Sequence, residues 1–155
     1  MSGYRRPAGG ASSIGRVTAA PDRADSSAPL RILLYSDDAA VRAQVRAALG
    51  DKVHPDLPPL EYVEVATAPV VISHMDAGKI DLAILDGETA PAGGLGIARQ
   101  LKDEIDPCPP ILVLTGRADD AWLASWSRAE AVVTRPIDPL ALAREVVRLL
   151  RATHR

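Results

Sequence analysis

A chain of 155 residues, 47% hydrophobic and 25% charged, fits one ordinary domain long enough to bury a core. Aromatic residues make up 3% and Phe is absent, so that core is expected to be built from Val, Ile, Leu and Ala. A net charge of −2 lacks the basic surplus of a nucleic-acid surface, the single Cys108 excludes an internal disulfide framework, and no apolar run approaches the roughly 20 residues that span a bilayer.

Residues 1–29 read MSGYRRPAGGASSIGRVTAAPDRADSSAP, with no apolar period. A segment of this composition buries too little surface to offset its ordering entropy, so it is expected to be a disordered arm. It lacks the apolar core of a signal peptide, and with one cysteine the expected location is cytoplasmic. Arg5, Arg6, Arg16 and Arg23 outnumber Asp22 and Asp25. The arm is either a solvated tail or a docking segment that orders on a partner, with Arg5 and Arg6 as candidate contacts.

From Leu30 the texture changes, and a folded domain is expected over 30–152 with 153–155 as a tail. LRILLY is a short apolar run, as in a strand buried on both faces. Asp38 can cap the helix AAVRAQVRAAL, whose Val41, Val45 and Ala48 share a stripe while Arg42 and Arg46 face water, and Gly50 closes it. After a proline-rich loop, LEYVEVA alternates as a second strand. Thr67 and Pro69 start a helix running to Gly78. IDLAILD is a third strand ending on Asp86, GETAPAGG a loop, and LGIARQLKDEI a helix. Beyond Pro107, Pro109 and Pro110 comes the strand ILVLT. Asp119 opens a short helix, DDAWLASWSRA, before the strand EAVVT. Asp138 and Pro139 begin the last helix, with Leu142, Val146 and Leu149 on one face.

Strand and helix alternate five times, which means a parallel sheet covered on both faces and joined by right-handed crossovers. In such sheets the functional crevice lies at the carboxyl ends of the strands. Ser36 and Asp37, Asp86, Thr115 and Arg135 all fall there.

The blocks RILLYSDDAAVRAQVRAAL, DLAILDGETAPAGGLGIARQL, ILVLTG and VVTRPIDPLAL together resemble a response regulator receiver domain from about Arg31 to Leu150. The resemblance implies a flavodoxin-like (αβ)5 fold, a doubly wound parallel five-stranded sheet. It also implies that Asp86 is the phosphoacceptor, that Thr115 senses the phosphoryl group, and that Arg135 stands where the family has a lysine. Mg2+ would be held by Asp37, Asp86 and the backbone carbonyl of Glu88, and would neutralise phosphoryl oxygens.

Several positions depart from that pattern. Ser36 replaces the first of two adjacent acids, which removes a charge from the metal site and leaves it weakened. Arg135 keeps the positive charge but is larger and forked. Val132 stands where a switch aromatic is usual, and the loop after Asp86 is one residue longer. Asp86, Asp37 and Thr115 also have plainer readings, as turn or capping residues. Arg135 can either sense a phosphate or pair permanently with Asp86 and hold the pocket shut.

Among other features, Gly94–Gly96 carries a fragment of a dinucleotide loop without its third glycine, and His54, His74 and His154 are scattered. Trp122 and Trp126 share a helix face, as core or as a partner anchor. The chain ends soon after the last helix, so the expected output is protein–protein docking, not catalysis beyond self-phosphorylation at Asp86. The DGETAPAGG loop and ARQLKDE are similar to a group of orphan actinobacterial receivers. That likeness implies a partner in a respiratory NADH:quinone oxidoreductase, on the cytoplasmic side of its membrane. The competing readings are a conventional Mg2+-dependent phosphoacceptor paired with a histidine kinase, and a nucleotide- or flavin-binding module.

Overall fold

A computed structural model describes residues 28–88, 94–116 and 125–153. The element order is β1 (Leu30–Tyr35), α1 (Ala39–Leu49), β2 (Leu60–Val65), α2 (Ala68–Ala77), β3 (Leu82–Asp86), α3 (Gly94–Glu104), β4 (Ile111–Thr115), β5 (Ala131–Thr134) and α4 (Pro139–Thr153). The five strands form one parallel sheet in the order β2-β1-β3-β4-β5. The chain winds outward from β1 to β2, then crosses back to β3, so the winding direction reverses between β1 and β3. In open α/β sheets the crevice outside that reversal is where function gathers.

The residues explain the layers. β1, β3 and β4 are almost wholly buried, and alternate side chains go to opposite faces. Ile32 and Leu34 join Val41, Val45 and Leu49 of α1 and Leu142, Val146, Leu149 and Leu150 of α4 in one apolar layer. Leu33 and Tyr35 join Val71 and Met75 of α2 and Ile97, Ala98 and Leu101 of α3 in the other. Both layers are aliphatic apart from a few side chains such as Tyr35, as the composition requires.

Local signals set the helix ends. The Asp38 carboxylate accepts the Ala40 N–H at 2.8 Å, and the chain leaves α1 at Gly50 and α2 at Gly78, both with positive φ, where a Cβ is disfavoured. Thr67 sits at the N-cap of α2 but makes no side-chain capping bond. Two sequence readings are corrected. Leu49, not Ala48, completes the buried stripe of α1, and Ala48 packs at its margin. Arg42 does not simply face water: its guanidinium donates to the Ser36 carbonyl and pairs with Glu64 on β2 at 3.0 Å.

The helix expected at Asp119 falls mostly outside the described residues, of which Ser125–Ser127 are helical. Residues 1–27 of the arm, with Arg5 and Arg6, lie outside them, as do Trp122 and His154. No helix among the described residues is long and apolar enough to cross a membrane.

Candidate functional site

Register brings the site together. Tyr35 is paired with Leu85, so the next residues on the two central strands, Ser36 and Asp86, stand opposite each other although 50 positions apart. Asp86 is paired with Leu114 and Thr115 with Thr134. Thr115 and Arg135 therefore close the same carboxyl edge, where the Arg135 N–H donates to the Thr115 carbonyl at 2.8 Å. Asp37 follows Ser36 on that rim and is exposed.

Asp86 is the centre of this edge, with a relative exposure of 2%. Its Oδ2 accepts the Ser36 hydroxyl at 2.8 Å. Its Oδ1 accepts the Glu88 N–H at 2.9 Å and faces Nη2 of Arg135 in an ion pair. The Ser36 hydroxyl, itself fully buried, also accepts the Asp38 N–H at 3.0 Å, so it is used both as donor and as acceptor. The approach of Arg135 to Asp86 is one of charge: Nε and Nη2 of Arg135 are buried and complete no hydrogen bond among the described residues.

The rim is tight enough to demand glycine at Gly87, and at Gly116 a side chain would have to displace that of Glu88. A Cβ on Gly87 would lie 2.7 Å from the Leu114 carbonyl oxygen, the same oxygen that accepts the Gly87 N–H. A Cβ on Gly116 would lie 2.8 Å from the Glu88 carboxyl carbon, because the Glu88 side chain folds over Gly116 and accepts its N–H at 3.3 Å. Next to the pocket, burial and the charges of Asp37 and Asp86 push the Tyr35 phenol above its usual range.

Ser36, Asp86, Thr115 and Arg135 are thus brought to one rim, and Glu88 joins them through its N–H. Two contributions were not anticipated: the Glu88 carboxylate as a strap to Gly116, and Arg42 as the group that holds the Ser36 carbonyl. The first links residues 28 positions apart and the second only six, and the position of Arg42 in the first turn of α1, facing the strand ends, hints at its role. Trp126 is 46% exposed, with the Arg99 guanidinium 5.0 Å from its ring centre.

An uncharacterized response regulatory protein of Mycobacterium tuberculosis, found in two strains, is 67% identical over 128 residues, which cover 83% of this chain and 96% of the relative. This chain belongs to the response regulators. No family model matches it. Solved receiver domains carry the same fold at low sequence identity. The signal receiver domain of a histidine kinase from Syntrophus aciditrophicus has a TM-score of 0.67 at 22% identity, covering 81% of this chain and 92% of that one. A chemotaxis protein of Vibrio cholerae has a TM-score of 0.63 at 18% identity, covering 79% and 100%.

The Mg2+ that receivers use can be tested against the residues of this response regulator. The ion prefers an octahedral shell of oxygens and keeps several waters. Here one oxygen of Asp86 is taken by a hydroxyl donor, the other by a backbone N–H and a guanidinium, and almost no solvent reaches either. No three His, Cys, Asp or Glu side chains among the described residues come together to hold a metal. So arranged, the donor set does not fit the ion.

Proposed function

We propose that this response regulator is an atypical receiver that works by docking on a protein partner, with its Asp86 pocket already satisfied from within. One observation carries the reading: both oxygens of a buried Asp86 are engaged by Ser36, Glu88 and Arg135 of the chain itself. A buried charge that is paired and hydrogen-bonded has no unmet demand to drive a reaction. The exposed Trp126 supplies a residue type enriched in binding anchors.

The test is affinity capture of the full chain under native conditions, alongside Asp86→Asn and a chain lacking residues 1–27. The same partner is expected with wild type and Asp86→Asn, and weaker recovery without the arm would assign the arm a docking share. A partner retained only after treatment with a phosphodonor would overturn the reading. The respiratory NADH:quinone oxidoreductase implied by the sequence resemblance enters this experiment as one candidate, and a histidine kinase as another.

The second reading is a phosphoacceptor in a His–Asp relay. It is favoured by the convergence of Asp86 and Arg135 at the carboxyl edge, where a guanidinium can meet a phosphoryl group. Labelling by acetyl phosphate that depends on Mg2+ and disappears in Asp86→Asn would establish it in place of the first.

A further inference from the structure

We propose that Arg135 and Ser36 act together as a built-in replacement for the divalent cation, closing the Asp86 pocket to Mg2+, and that exchanging these two residues reopens it. The inference rests on the reading that the pocket works unloaded, and it names the device responsible.

Charge comes first. Asp86 is 2% exposed, and a carboxylate so buried needs a counter-charge. Arg135 provides it from the end of β5, and its side chain has no other ion-pair partner among the described residues. A cation entering beside Asp86 must either displace that guanidinium or sit against it, and two like charges in a poorly solvated crevice repel. Because Arg135 is covalently part of the domain, it competes at the high effective concentration of a tethered ligand, whereas Mg2+ also loses waters to enter.

Hydrogen bonding comes second. Ser36 presents a hydroxyl hydrogen to Asp86 Oδ2 at 2.8 Å, where a cation would need a free lone pair. This orientation is held from several sides. The Ser36 N–H donates to the Val65 carbonyl at 3.2 Å, its hydroxyl accepts the Asp38 N–H at 3.0 Å, and its carbonyl accepts from Arg42, which Glu64 anchors in turn. Turning the hydroxyl away costs two bonds at a site with no solvent exposure. Asp37 is left exposed on the rim, beside an Asp86 charge that Arg135 already offsets.

The two substitutions reverse each element. Ser36→Asp sets a second carboxylate within hydrogen-bond distance of Asp86, an arrangement that favours a divalent cation or a shared proton. Arg135→Lys replaces a rigid fork by a flexible ammonium that can swing aside.

The probe is Mn2+, which shares the octahedral oxygen preference of Mg2+, followed by the loss of its free-ion EPR signal on adding the full-length protein. Wild type is expected to leave the signal unchanged. Ser36→Asp/Arg135→Lys is expected to bind at least about tenfold tighter than wild type, with the gain lost again when Asp86→Asn is added. Wild-type binding that Asp86→Asn abolishes would overturn the proposal whatever the variants do. So would a folded double variant, checked by circular dichroism, that gains nothing. Should the double variant not fold, Arg135→Lys is read alone, with a partial gain supporting the proposal and none refuting it. Partner capture reads out separately: a partner that requires a phosphodonor sinks the docking reading, and Mn2+ on the wild-type pocket sinks this one.

Discussion

The two rims of the sheet use their acids in different ways: those of the amino rim reach solvent, while Asp86 at the carboxyl rim is buried. At the amino rim, Glu130 accepts the Ile111 N–H at 2.8 Å with one oxygen and pairs with the nearly buried Lys102 through the other. Asp81 accepts the Arg31 N–H at 2.7 Å. Each of these carboxylates satisfies a backbone donor at the start of a neighbouring strand, which is an architectural task. At the carboxyl rim, Asp86 gives one oxygen to the local Glu88 N–H but meets side chains from β1 and β5 with the rest of its capacity. An acid that closes a strand start needs no explanation beyond the fold. An acid aimed at side chains from other loops marks the place where chemistry or regulation was built.

Removing one member of the ion pair at each rim should separate these roles most sharply. Arg135→Ala leaves Asp86 buried without a counter-charge and is expected to lower stability by about 3 kcal/mol. Glu130→Ala leaves one N–H without its acceptor and a lysine that still donates to the Pro109 carbonyl, and should cost about 1–2 kcal/mol. Urea midpoints at neutral pH check the order, and a larger loss for Glu130→Ala would break the distinction drawn above.

A second contrast sets the crowded rim against an open helix. Gly87→Ala forces a methyl to within 2.7 Å of the Leu114 carbonyl oxygen and should cost about 2 kcal/mol. Gly96→Ala, in α3 with nothing within 4 Å of the added carbon, should gain about 0.5–1 kcal/mol. Thermal melts of the two variants should shift in opposite directions.

A comparably small effect belongs to Tyr62, whose hydroxyl donates to the Gly50 carbonyl at 2.6 Å. Burial, then the charge of Asp51, pushes this phenol up to about 12. The unfolded chain releases the proton near pH 10. The folded state therefore holds a proton that the unfolded state has lost, so this contribution is whole below about pH 10 and fades as pH rises to about 12. Tyr62→Phe should cost about 1 kcal/mol at neutral pH and flatten the decline between those values, leaving the share of the buried Tyr35. An unchanged slope in urea titrations across that range would remove Tyr62 from the account.

The sequence made the fold plain because β1, β3 and β4 are continuous apolar runs, and Asp38, Gly50, Pro69 and Gly78 punctuate the helices at the expected places. The strand-end residues were legible for the same reason, since a parallel sheet carries every strand end to one rim. What each residue does there was not legible. The donor role of Ser36 depends on β1 lying beside β3, and Arg42 reads as a water-facing helix residue until β2 brings Glu64 next to it. The Glu88 carboxylate had no visible partner, because Gly116 reaches it through the pairing of β3 with β4.

The side-by-side placement of Ser36 and Asp86 also bears on folding. Alternate residues of a strand point to opposite faces, so a slip of one position between β1 and β3 would set Tyr35 or Asp37 across from Asp86 and turn the apolar set of β1 inside out. The bond joining them can form only once β1 and β3 have paired in this register. It is a signature of one strand pairing: an isotope label on Ser36 would report when β1 and β3 have met in their final alignment.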